Sequence, residues 1–258
     1  MLIYIYPFNY IDKDLERIKL VNTFRMRRLA ILPARGGSKR IPNKNIRDFC
    51  GKPIISYVLN TAYDSKLFDK IHVSTDSKII LDVLSELGFT PDFIRPGDLS
   101  GDDTPIMPVL KFVVEEYKML GFEFDQIWLL YPCSPLLNES DLVAAEKLFV
   151  NSTPSRPLLS VSEYPAPVEW AYKLDQELNL TPVQPGKFAI RSQDLDRRYY
   201  DTGSFAIYSD KFIAESLEVG TDIGYSAFLL PRNKAIDIDT FDDWSFAESL
   251  FQSMSALR

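Results

Sequence analysis

The chain has 258 residues and a net charge of −7, with 46% hydrophobic and 25% charged residues. Such proportions exclude a disordered or fibrous protein, and the acidic balance argues against a nucleic-acid partner. Two cysteines and one histidine exclude a disulfide framework, a zinc quartet and a two-histidine metal site, and they point to a reducing compartment.

The amino-terminal stretch "MLIYIYPFNYIDKDLERIKLVNTFRMRR" has no early cation, carries Pro7 and Asn9, and runs into Asp12, Asp14 and Glu16. It does not match a signal peptide, and no run approaches the ~20 apolar residues that span a bilayer. Residues 1–25 read as an extension outside the fold, with Met26-Arg27-Arg28 as the start of the folded part. An amphipathic N-terminal helix is the competing reading.

Strand and helix then alternate. "RLAILPA" is the first predicted strand. Pro53 opens a helix whose apolar positions are Ile54, Ile55, Val58, Leu59 and Ala62. "KIHVSTD" is the second strand, and a structural role is expected for its His72. "SKIILDVLSELG" is a helix closed by Gly88. "PDFIRP" reads as a short third strand, and a helix runs from Thr104 to near Gly121. "QIWLLYP" is the fourth strand, followed by the helix "SDLVAAEKLFV". The pattern implies an α/β protein with a Rossmann-like, mostly parallel sheet sandwiched by helices. Residues 165–200, rich in proline and aromatics, break it and read as a hairpin-like insertion. "GSFAIYS", "GYSAFLLP" and "AIDID" restore strand-like order before a last helix, "DDWSFAESLFQSM".

Two stretches carry chemistry. "LAILPARGGSKRIPNKN" gathers Arg35, Lys39, Arg40 and Lys44 around Gly36-Gly37, directly after the first strand. Ligands of open parallel sheets bind beyond the strand carboxyl ends. The glycines are free to take positive φ and to bring backbone N–H groups close to an anion. Lys39, Arg40 and Lys44 add charge, and Ser38 and Asn45 add neutral donors. Neither G-x-x-x-x-G-K-[ST] nor G-x-G-x-x-G fits the spacing. A solvated basic loop is the bland alternative to a polyphosphate site.

The second stretch is "AIDIDTFDDW". On a strand, Asp237 and Asp239 point to one face, where two converging carboxylates call for a cation such as Mg²⁺. Helix capping is the alternative, and Thr240 with Asp243 does form a T-x-x-D start.

These motifs, with "VSTDS", "RPGDLSGDDTP", "YPCSPLL" and "IDIDT" in order, resemble the CMP-nonulosonic acid synthetases. These cytidylyltransferases activate nine-carbon acidic sugars for cell-surface glycans. The likeness spans residues 29–245, and CMP-Kdo synthetases look like more distant relatives. The cysteine usage and the lack of a spanning run lead us to expect a cytoplasmic location and no membrane partner. The resemblance implies a CTP- and Mg²⁺-dependent enzyme. In it the sugar's anomeric hydroxyl attacks the α-phosphate and pyrophosphate leaves. Residues 1–27 are expected outside the fold and 28–258 as the cytidylyltransferase domain, and the resemblance implies that 165–200 is a dimerisation subdomain of a homodimer.

The same resemblance assigns residues. Arg35, Gly36, Gly37, Ser38, Lys39, Lys44 and Asn45 hold the triphosphate. Arg95, Asp102 and Thr104 meet the cytidine part. Asp237 and Asp239 bind Mg²⁺ and, with Arg35 and Lys44, are catalytic. Tyr131, Ser134, Asp201 and Gly203 fall to the sugar. Tyr131 replaces the glutamine of sialate enzymes, and "YDTGSFAIY" echoes the "DAGQFYW" of pseudaminate enzymes, which favours pseudaminate. The alternatives are a nucleotidyltransferase for Kdo or a sugar 1-phosphate, which Lys187, Arg191, Arg197 and Arg198 could serve, or an inactive nucleotide-binding regulator.

Overall fold

A computed structural model describes residues 26–152, 156–216 and 224–256; the expected extension 1–25 lies outside the described residues. Among the described residues, six strands form the central sheet: β1 (Arg28–Pro33), β4 (Lys70–Ser74), β5 (Gln126–Leu130), β6 (Leu158–Glu163), β9 (Tyr199–Ser209) and β10 (Ser226–Leu229). Their order is β10-β6-β9-β5-β1-β4, with β4, β1 and β5 mutually parallel and β9 antiparallel to both β5 and β6. The chain leaves β1 to one side for β4 and returns to the other side for β5. The carboxyl end of β1 is therefore the point where the strand order reverses, and a crevice opens there.

Alternation within β1 explains the two cores. Ala30 and Leu32 pack with Trp128 and Leu130 against helices α1 (Ile54–Asp64), α2 (Lys78–Glu86) and α4 (Glu139–Asn151). Leu29 and Ile31 pack with Ile127 and Leu129 against α3 (Ile106–Met119) and α5 (Asp210–Glu215). A strand buried on both faces needs this continuous apolar run. A third cluster joins Ile41, Phe49, Ile54 and Ile238 to Trp244 of α6 (Phe241–Ala256). It pins the loop after β1 to the segment before α6, and so joins the two chemistry-bearing stretches. Phe49 lies in the antiparallel pair β2 (Asp48–Phe49) and β3 (Lys52–Pro53).

Two expected strands are absent. Residues 91–96 run as irregular chain past the end of β4, joined to it by the Arg95 N–H on the Thr75 carbonyl (2.9 Å). Residues 235–239 are also irregular. Ile236 and Ile238 still turn inward, while Asp237 and Asp239 turn to the crevice, so the two-residue alternation survives without a ladder. Pro53 precedes α1, and Gly88 sits at φ +75° just beyond α2, as its position after a helix end requires. His72 is fully buried and stacked on Phe93 at 4.2 Å; burial lowers its pKa to about 4. It is a neutral core residue.

The insertion is a short hairpin, β7 (Tyr172–Leu174) and β8 (Leu180–Pro182), flanked by irregular chain. It leaves Leu174, Leu178, Leu180 and Phe188 exposed.

Candidate active site

A cleft of about 700 Å³ opens at the end of β1. Arg35, Ser38, Lys39, Lys44 and Asn45 line it from the first loop, and Arg95, Asp102 and Thr104 from the segment after β4. Tyr131 follows β5, Asp201 and Gly203 come from β9, and Asp237 and Asp239 close the ring. Residues separated by two hundred positions thus meet in one space. Gly36, Gly37 and Ser134 do not line it.

Neither Gly36 nor Gly37 has positive φ. A Cβ on Gly36 would lie 3.0 Å from the Ser77 side chain, so this position is small because the loop passes tightly over the start of α2. A Cβ on Gly37 would lie 3.6 Å from the Asp102 carboxylate, an ordinary contact. Ser134 is buried and donates to the Gly203 carbonyl (3.2 Å). It supports the cleft from behind. Gly203 itself has φ +59°, and a Cβ there would lie 3.1 Å from the Asp237 carboxyl group, so its absent side chain leaves room for that carboxylate.

Asn45 is a support as well as a lining residue. It is buried, and its Nδ2 donates to the Arg35 carbonyl (3.0 Å) while its Oδ1 accepts from the Cys133 thiol (3.4 Å). Both polar atoms of its amide thus shape the loop. Burial pushes the Cys133 thiol up to about 12, so this cysteine is not a nucleophile. Lys44 donates to the Ile238 carbonyl (2.7 Å) and pairs with Asp239 (3.4 Å), which ties the first loop to the aspartate segment. Arg40, part of the basic cluster but not among the assigned site residues, also lines the cleft and pairs with Asp239 at 2.9 Å. Its place in the same loop was the available signal.

The aspartate segment is held from three sides. Lys234 forms a well-shielded ion pair with Asp141 of α4 (2.6 Å), the Tyr200 hydroxyl donates to the Ala235 carbonyl (3.3 Å), and Lys44 holds Ile238. Capping is confined to the next residues. Thr240 and Asp243 form the reciprocal start of α6, with the Thr240 N–H on the Asp243 carboxylate (2.7 Å) and the Asp243 N–H on the Thr240 hydroxyl (3.2 Å). Neither the Asp237 nor the Asp239 carboxylate takes part in it.

The electrostatics separate the two aspartates. Asp239 faces Arg40 and Lys44. Asp237 opens to the cleft, and its pKa is raised, first by the surrounding protein and then by the charge of Asp239, with Lys44 offsetting part. Asp201 is raised by the same desolvation, against the N–H it accepts from Gly203 (2.9 Å). Tyr131 is raised well above its ordinary value by burial, then by Asp201 and Asp237, so it is a neutral phenol. At the far wall Arg95 is buried, its Nε on the Ser74 hydroxyl (3.0 Å) and its Nη2 on the Ser74 carbonyl (2.5 Å). Burial lowers its pKa to about 10, which leaves it a cation.

Comparison with known proteins identifies the family of the chain. The family model described as cytidylyltransferase matches residues 29–156. Pseudaminic acid cytidylyltransferase of Campylobacter jejuni is 36% identical over 227 residues, which cover 88% of this chain and 97% of that protein. The chain belongs to the cytidylyltransferase family. A second relative of this cytidylyltransferase, the CMP-N,N'-diacetyllegionaminic acid synthase of Legionella pneumophila, is 32% identical over 88% of this chain and 97% of its own length. Among solved structures, a CMP:2-keto-3-deoxy-manno-octonic acid synthetase complexed with CTP superposes with a TM-score of 0.64 at 17% identity, covering 88% of this chain and 99% of that one. That likeness shows the cytidylyltransferase's fold: a six-stranded, mostly parallel sheet between helices.

Proposed function

We propose that this cytidylyltransferase joins CMP from CTP to the anomeric hydroxyl of a nine-carbon acidic sugar of the pseudaminic, legionaminic or sialic acid class, releasing pyrophosphate. One observation carries the reading. The cations of the first loop and the paired carboxylates Asp237 and Asp239 face one cleft, although the sequence separates them by about two hundred positions. A triphosphate needs the first group, and a phosphate-bound divalent cation needs the second.

The parts divide as follows. Arg35, Ser38, Lys39, Arg40 and Lys44 hold the phosphates. The buried Arg95 and the chain at Asp102–Thr104 meet the cytidine. Tyr131, Asp201 and Gly203 border the space left for the sugar, with Ser134 behind them. The donors fit Mg²⁺: two hard carboxylates stand together, and the charged form of Asp237 is destabilised by burial and then by its neighbour's charge and has no ion pair among the described residues. Asp237 and Asp239 would hold the ion, which supplies charge compensation for the triphosphate when bound. The enzyme's own contribution is positioning. It aligns the anomeric hydroxyl with the α-phosphate and fixes cations around the leaving pyrophosphate, with no covalent intermediate.

A sugar 1-phosphate acceptor has less support. Of the cations offered for it, Arg191, Arg197 and Arg198 pair with Asp194, Glu163 and Glu169, and none of these or Lys187 lines the cleft. For the acceptor we favour pseudaminate, supported by Tyr131 and by the 36% identity to the Campylobacter enzyme.

We also take residues 28–258 as one cytidylyltransferase domain and 165–200 as its dimerisation insert, the exposed Leu174, Leu178, Leu180 and Phe188 being its contact surface. Two unbridged cysteines support a cytoplasmic location, and no helix among the described residues is long and apolar enough to cross a membrane. The test supplies CTP and Mg²⁺ with pseudaminic, legionaminic, sialic or Kdo acid and follows pyrophosphate release. Fastest release with pseudaminate is expected. Preference for Kdo, or release independent of any sugar, would overturn the assignment.

A further inference from the structure

The four loop cations do not stand free in the structure. Arg40 and Lys44 meet Asp239, while Arg35 and Lys39 meet a single carboxylate from another part of the chain, Asp102. Arg35 Nη1 donates to Asp102 Oδ1 at 2.8 Å, and Lys39 Nζ lies 2.5 Å from Oδ2. One carboxylate thus bridges the two cations with its two oxygens, as a phosphate group would. The bridge lowers the Asp102 pKa, first through the Lys39 hydrogen bond, and raises that of Lys39, so both stay charged at neutral pH.

A polyphosphate and this carboxylate cannot use the same two cations together, because like charges in contact repel. Two features make the bridge exchangeable. The side chains of Lys39, Arg35 and Asp102 are 81%, 40% and 35% exposed, so solvent screens the pairs. The hydrogen bonds of the Asp102 segment are local, from Leu99 to Pro96, Ser100 to Gly97 and Thr104 to Gly101. Displacing the Asp102 carboxylate therefore breaks no hydrogen bond of the sheet.

We propose that Asp102 is an internal competitor for the phosphate subsite, displaced when the triphosphate docks and returning to Arg35 and Lys39 to expel pyrophosphate. The inference rests on the reading of the first loop as the triphosphate site. Its role differs from that of the backbone around it, which faces the nucleotide. A cluster of cations strong enough to hold a triphosphate also holds pyrophosphate strongly, and a tethered carboxylate turns slow dissociation into exchange.

The experiment titrates the full protein with inorganic pyrophosphate, alone and with Mg²⁺, and measures pyrophosphate as an inhibitor of turnover. Asp102→Asn is expected to bind pyrophosphate roughly threefold to tenfold more tightly, the scale of losing two screened ion pairs. Product inhibition should strengthen by a similar factor, with kcat and the KM for CTP both falling. Asp102→Ala, which cannot replace the bridge with an amide, should move the same way. Unchanged or weaker pyrophosphate binding in both variants, against measurable binding by the native protein, overturns the role of Asp102 alone. If pyrophosphate binds neither the native protein nor the variants, the phosphate reading of the loop falls, and this proposal falls with it.

Discussion

Replacing Lys44 with methionine is expected to lower kcat by about a hundredfold or more, the loss typical of one preorganised donor at a charge-developing site, while the protein stays folded. The side chain is 22% exposed and reaches across from the first loop to the Ile238 carbonyl and Asp239. Methionine keeps the length and the buried stem but removes the charge. Two consequences follow together. The leaving phosphates lose a fixed cation, and Asp237 and Asp239 lose the positive neighbour that offsets their mutual repulsion. Turnover measured alongside thermal melting separates catalysis from scaffolding. A lysine that served only to tie two segments would lower the melting temperature and leave the folded fraction active.

Asp237→Asn and Asp239→Asn carry the second large effect. Each is expected to remove most turnover, by about a hundredfold or more, given the several kcal/mol that charge compensation at a phosphoryl centre supplies. An amide matches the carboxylate in size but not in charge, so the residues' hold on a divalent cation weakens. CTP binding should survive better than kcat, because Arg35, Lys39 and Lys44 remain. Raising Mg²⁺ should restore part of the rate, and calorimetric titration of the nucleotide-free protein with Mg²⁺ should show weaker binding. The structure also fixes what a capping role would look like. The α6 cap belongs to Thr240 and Asp243, so melting temperature should respond to those two residues. Loss of stability without a change in Mg²⁺ dependence in the Asp237 and Asp239 variants would contradict the metal reading.

The parts of the fold that were legible in the sequence are those where one local rule decides the structure. The doubly buried run of β1 and the helical spacing of Ile54 to Ala62 are decided by period, and Gly88 by its place at a helix end. The reading failed where tertiary neighbours decide. "PDFIRP" looks like a strand by composition, yet it passes the end of β4 and finds one carbonyl there rather than a ladder. "AIDID" alternates like a strand because Ile236 and Ile238 enter a core, but its backbone is held by Lys44 and Tyr200 side chains. The cleft lining was legible as a set of motifs because most of the expected residues face that space directly. Its internal pairing was not. Nothing in the spacing says that Asp102 lies on Arg35 and Lys39, that Asn45 spends its amide on the loop, or that Gly36 is small because Ser77 is close.

The central claim is that this cleft transfers CMP from CTP to an acidic sugar. Phosphorus NMR of the protein with CTP, Mg²⁺ and pseudaminic acid tests it most directly. The account predicts that the three triphosphate resonances give way to one phosphodiester signal and to pyrophosphate in equal molar amounts, with no change when the sugar is withheld. Pyrophosphate appearing beside free CMP, at a rate indifferent to the sugar, would contradict it.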